Sequence, residues 1–160
     1  MPHSRPSSIR FRWSFRTLVY AVLAVLFLSG AIWGYLQYLV SGADVAASKS
    51  WCLKIHGAAA MATLVLIGVL LHGHVRFAWR ARRNRVNGVL VLSALGFLTL
   101  TGYGLYYAGD ERLRAWTSWI HLGLGLALPA LLVMHILLGG RTRPGRRPLE
   151  PKGLALEKGA

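Results

Sequence analysis

Long apolar runs alternate with short polar stretches along this chain, so its hydrophobic pattern changes over whole helices rather than between the faces of one element. Four runs stand out, at about residues 17–40, 53–75, 86–108 and 116–138. Each has roughly the 20 residues that a helix needs to cross ~30 Å of hydrocarbon. Lipid offers the backbone no hydrogen-bond partners, so such runs are expected as helices. The prediction is an all-α fold, an integral membrane four-helix bundle in up-down-up-down order over residues 17–138. Residues 1–16 and 139–160 carry Pro, Gly, Ser and Arg and are expected as basic tails, disordered or lipid-associated. The connections at 41–52 and 109–115 are too short to fold a catalytic domain.

Two processing and motif questions follow from the same pattern. The first run succeeds a basic tail, and "VSGA" at 40–43 has the small residues of a cleavage site. A signal-peptide core is only about 7 to 15 residues long, however, and this run is longer, so a retained first helix is expected. No internal repeat is convincing, and no phosphate-binding loop, G-x-G-x-x-G or H-E-x-x-H is present.

Composition agrees with the pattern: 54% of the 160 residues are hydrophobic, and the mean hydropathy is +0.45. Such values exclude an ordinary soluble domain. The formal charge of +14 would suggest nucleic acid in a soluble protein, but its placement gives another meaning. Arg5, Arg10, Arg12 and Arg16 precede the first run, Arg76, Arg80, Arg82, Arg83 and Arg85 separate the second from the third, and six more Lys and Arg follow the fourth. Only Lys49, Lys54, Arg112 and Arg114 lie on the opposite side, together with Asp44, Asp110 and Glu111. The positive-inside rule puts both termini in the cytoplasm, an N-in/C-in arrangement. Basicity is thus a topology signal and an attraction to anionic lipid, with no nucleic acid among the expected partners. Trp51, Trp116 and Trp119 mark the expected outer interface and Trp79 the inner one. The single cysteine, Cys52, has no partner for an internal disulfide, and no C-x-x-C-H is present for covalent haem attachment.

Candidate chemistry lies in the histidines. Five of the six, His56, His72, His74, His121 and His135, fall in the second and fourth runs or at their ends. Ionisable groups at membrane depth are functional candidates by default. In the expected topology the second and fourth helices are parallel, with His56 and His121 near the outer interface and His72, His74 and His135 near the inner one. Two pairs at two depths would supply the axial ligands of two six-coordinate haems. At ~100° and 1.5 Å per residue, the 14 steps from His121 to His135 return to within about 40° of one face over ~21 Å. From His56, His74 lies ~0° away at ~27 Å and His72 ~160° away at ~24 Å. Facing therefore favours His74, with His72 as the alternative on depth. Tilt, or a bend at Pro129, is expected to absorb the mismatch in depth. Gly30, Gly34, Gly96, Gly102, Gly123 and Gly125 would admit a flat porphyrin or simply close helix packing. Candidate partners for haem propionates are Lys54, Arg112 and Arg114 on the outer side and Arg76 and Arg80 on the inner, although each also reads as a solvated or snorkelling side chain.

The segments "KIHGAAA" with His56, "GHVRFAWRARRNR" with His74, "TGYGLYYAGDERLR", "WIHLGLGLALP" with His121 and "MHILLGGR" with His135 resemble the small bacterial four-helix membrane di-haem b-type cytochromes. The resemblance covers residues 17–141, although the first run lacks the histidine that some of those proteins carry there. It implies two non-covalent haem b groups, bis-His ligation by His56, His74, His121 and His135, and electron transfer in the bacterial inner membrane. It further implies exchange between quinone and a cytochrome or redox enzyme subunit. Asp110 and Glu111 could accept protons near a quinol, or form a hydrated turn; Tyr103, Tyr106 and Tyr107 could line a quinone pocket, or sit at the interface. Two other readings stay open: a haem-free membrane anchor or assembly subunit, and a metal transporter using imidazole ligands, the latter disfavoured by the near absence of carboxylates in the helices.

Overall fold

A computed structural model describes residues 13–40, 45–80 and 84–141. The described residues are helical apart from short connections: α1 spans Trp13–Tyr38, α2 Ala46–Leu70, α3 Arg76–Arg80, α4 Arg85–Tyr107 and α5 Glu111–Arg141. A π-helical turn, Leu71–Val75, joins α2 to α3 without a break, so Ala46–Arg80 is one continuous rod. Four helices are therefore long and apolar enough to cross a membrane, as a multi-pass membrane protein requires. The expected cationic positions Arg5, Arg10, Arg12, Arg82 and Arg83, most of the "VSGA" segment, Asp44 and residues 142–160 lie outside the described residues.

Burial is reversed from that of a soluble protein. The buried residues are nearly all small: Ser29, Gly34, Ala59, Thr63 and Ala94, with Leu128 the larger exception. Large apolar side chains point outward instead, with Val65 and Leu100 each 68% exposed. Lipid tails solvate such side chains as well as a protein core would, so close backbone approach at small residues holds the helices together. The buried hydroxyl of Thr63 satisfies itself locally, its Oγ1 donating to the Ala59 carbonyl at 2.8 Å. Helix α1 packs along α2 and α4 along α5, and α1 also touches α5, whereas the backbones of α2 and α5 barely approach one another.

The helix ends correct the boundaries read from hydropathy. Helix α5 starts at Glu111 rather than 116 because Asp110 caps it, its Oδ1 accepting from the Leu113 N–H at 2.7 Å. The helix also runs on to Arg141, through residues expected in the tail, and passes Pro129 without interruption. Helix α2 starts at Ala46, inside the stretch expected as a loop, and α1 takes in Trp13 to Arg16, expected as tail. Hydropathy marks where lipid begins; a helix continues into the polar layer wherever capping and propensity permit.

Two corners tie the helices together. Arg85 stacks over the Trp79 ring, 4.9 Å from its centroid, and donates through Nε and Nη2 to the Trp79 carbonyl at 3.1 and 2.5 Å. A cation thus satisfies a carbonyl that the end of α3 leaves open. Asn84, the residue before α4, has φ 46°, in the left-handed region that asparagine tolerates better than most residues. At the opposite end of the helices, Tyr38 stacks on Trp119 with ring centroids 5.0 Å apart, which joins α1 to α5.

Candidate haem site: two histidine pairs between α2 and α5

Four of the five helical histidines meet in two pairs. His56 on α2 faces His121 on α5 with ring centroids 6.1 Å apart, and His74 faces His135 at 6.2 Å. These pairings make α2 and α5 neighbours running in the same direction. His72 joins neither pair; it is exposed, as is His74 beside it.

His74 lies within the π turn. A π turn closes i→i+5 bonds and so holds one residue more than an α turn. The extra residue shortens the rise from His56 to His74 by up to ~1.5 Å and also turns His74 by up to ~100°, so the facing reckoned for a straight helix does not carry over unchanged. Hydropathy carries no sign of this turn, although π turns concentrate at functional sites.

The separations discriminate among possible uses. A direct imidazole N–H···N bond, with nitrogens ~2.9 Å apart, would bring the centroids to about 5 Å. Two imidazoles on opposite sides of one metal, each with a nitrogen ~2.0 Å from it, place the centroids at about 6.3 Å. Both observed separations, 6.1 and 6.2 Å, lie near the second value, and with the rings 76° and 74° apart they are also those of ordinary edge-to-face contacts. Among the described residues no group of three or more His, Cys, Asp or Glu is placed to hold a metal ion, so the histidines come together only in twos.

Neighbouring helices hold the rings. His56 Nδ1 is 2.9 Å from the Leu26 carbonyl oxygen and 3.2 Å from Ser29 Oγ, both on α1. His121 Nδ1 is 2.8 Å from Thr101 Oγ1 on α4. Glycines give the rings room: a Cβ on Gly30 would come within 2.8 Å of His56 Cε1, one on Gly102 within 3.4 Å of His121 Cε1, and one on Gly88 within 3.7 Å of His135 Cε1. His135 Nδ1 is buried without a hydrogen-bond partner, while the His135 carbonyl accepts from Asn84 Nδ2 at 3.1 Å. The close approach at Gly30 and the hydrogen bonds to α1 and α4 hold the paired rings between α2 and α5.

Sequence reading named the four paired histidines but not the groups behind them. Gly30 and Gly102 were singled out as gaps, whereas Ser29, Thr101, Asn84 and Gly88 were not. The signal was present as a repeat: "LFLSG" at 26–30 and "LTLTG" at 98–102, followed by W-x-x-x-I-H at 51–56 and again at 116–121. The expectation that the chain holds no repeat is thereby corrected. Five-residue echoes inside apolar runs do not rise above background until the structure puts each against an equivalent histidine.

The candidate propionate partners stand apart from the rings. Lys54 Nζ lies over the Trp51 ring, 4.8 Å from its centroid. Arg76, Arg80, Arg112 and Arg114 are exposed. Asp110, a candidate proton acceptor, is the α5 cap, and Tyr103 and Tyr107 stack on one another at 4.4 Å. No family model, curated protein or solved structure matches the chain.

Proposed function

We propose that the protein is the di-haem cytochrome b subunit of a membrane electron-transfer system, with His56 and His121 as the axial ligands of one haem b and His74 and His135 as those of the other. The observation that carries this reading is the meeting of four histidines in two pairs between the same two membrane-length helices, with ring centroids 6.1 and 6.2 Å apart, a separation that would admit one metal between each pair. Bound haem would supply one-electron chemistry, with both axial positions closed to oxygen. The chain's own residues do the rest: the imidazoles hold the group, Gly30, Gly88 and Gly102 leave space beside the rings, and the apolar outer faces of the helices keep water away. Lys54, Arg76, Arg80 and Arg114 remain the cationic candidates for the propionates.

By the distribution of Lys and Arg, both termini face the cytoplasm of a bacterial inner membrane, with the helices alternating in direction. The His74–His135 pair then lies toward the cytoplasm and the His56–His121 pair toward the outside. Electrons pass between the quinone pool and a cytochrome or redox enzyme subunit, as part of a quinol or quinone oxidoreductase. Two imidazoles alone are too few for a divalent ion in transit, which weakens the transporter reading. An anchor held by histidine-to-histidine bonds is weakened by the ring separations.

The test is optical. Detergent-purified protein, expressed with ample haem and reduced with dithionite, should show a sharp b-type α-band, and pyridine haemochrome assay should give two haems per chain. No α-band would end the proposal, and a stoichiometry of one would remove the second site.

A further inference from the structure

The repeated segments at 26–30 and 98–102 do the same job twice. In the first, Ser29 Oγ donates to the Val25 carbonyl at 2.7 Å, with the Leu26 carbonyl at 3.1 Å. In the second, Thr101 Oγ1 donates to the Phe97 carbonyl at 2.7 Å, with the Leu98 carbonyl at 3.2 Å. Each hydroxyl has one proton, already committed to its own helix, so it meets the imidazole as an acceptor. The His56 ring also meets the carbonyl three residues before its hydroxyl, that of Leu26. Neither a carbonyl nor a hydroxyl whose proton is committed has anything to donate, so Nδ1 must carry the ring proton in both. The next residue is glycine in both; at Gly30 the missing Cβ is what lets the ring edge come this close, whereas at Gly102 a Cβ would stand at contact distance, 3.4 Å, from His121.

We infer that the two Leu-x-Leu-(Ser/Thr)-Gly segments are paired imidazole cradles that fix His56 and His121 as neutral rings protonated on Nδ1, leaving both Nε2 lone pairs free for ligation. Ser29 and Thr101 are positioning residues: they touch the ligands rather than the group that the ligands hold. Bonds of this kind set the tautomer and make the imidazole more electron-rich, which favours the oxidised metal. The cradle and tautomer follow from hydrogen bonds alone; their use in haem binding rests on the function proposed above.

Two sets of measurements on the full chain in detergent separate these levels. The first uses haem-free protein labelled with 15N-histidine, in which long-range 15N–1H correlations should show Nδ1–H and an unprotonated Nε2 on His56 and His121. In Thr101→Val the His121 ring should gain Nε2–H form while His56 is unmoved, and Thr101→Ser should restore the original state. The second uses haem-loaded protein: Thr101→Val should raise one midpoint potential and leave the other, again with rescue by Thr101→Ser. Gly30→Ala should lower the haem count from two to one. Rings protonated on Nε2, or Thr101→Val without effect on either tautomer or potential, would overturn the cradle, as would Gly30→Ala with two haems bound. If the unaltered protein takes up no haem, the proposed function fails, and the NMR measurements still decide the cradle.

Discussion

The two histidine pairs have almost the same ring separation, 6.1 and 6.2 Å, yet they are held by different means. At His56–His121 both rings are bonded at Nδ1 by neighbouring helices. At His74–His135 the His74 ring stands in a π turn, and the His135 Nδ1 is buried without a partner. The support there acts on the backbone, where Asn84 binds the His135 carbonyl and Asn87 Nδ2 in turn donates to Asn84 Oδ1 at 2.9 Å. Equal geometry therefore comes from side-chain hydrogen bonds in one pair and from main-chain shape in the other.

Helix α4 makes the comparison sharper. Asn87–Gly88 stands 14 residues before Thr101–Gly102, and His135 stands 14 residues after His121, so the antiparallel packing of α4 on α5 puts corresponding residues opposite corresponding histidines. Two heptads drift by only ~40° on a straight helix, which keeps both positions on one face. The glycine recurs in the second cradle, but an asparagine occupied with Asn84 replaces the hydroxyl that would accept from Nδ1.

The largest effect that would break this comparison comes from the ring in the π turn. His74→Ala should reduce haem content from two per chain to one by pyridine haemochrome assay, whereas His72→Ala should leave two; the reverse result would show that the π turn presents the other histidine. Next in size is Asn84→Ala, which removes the bond to the His135 carbonyl and places alanine at positive φ. A loss of roughly 2 kcal/mol is expected from the two effects together, seen as a lower thermal midpoint and as weaker retention of one haem on dilution. Asn84→Gly should recover only the backbone part, and equal weakening of both haems would contradict a clamp specific to His135. The smallest effect is expected from Asn87→Thr, which offers the orphaned Nδ1 an acceptor. About 1 kcal/mol of stabilisation and a downward shift of one midpoint potential should follow in redox titration. An unchanged potential would mean that the added hydroxyl does not reach the ring.

Much of the architecture was legible because membrane insertion depends on local composition. Four apolar runs near the length of a bilayer determine four helices, and the 14 steps from His121 to His135, within about 40° of four whole turns, determine that both can look inward. The ends were less legible, since Asp110 and Ala46 extend helices into stretches that hydropathy assigns to loops. The choice of His74 over His72 was also available from helical periodicity, although the reason it works was incomplete.

By itself, then, the sequence determined the class of protein, the number of helices and the four histidines that pair, because each depends on one segment or on spacing within one helix. Only the tertiary structure decided how those histidines are held. The π turn at 71–75, the acceptors Ser29 and Thr101 and the bond from Asn84 all depend on which helix lies against which. An imidazole's hydrogen bonds close between segments far apart in the chain, so spacing along either segment cannot reveal them.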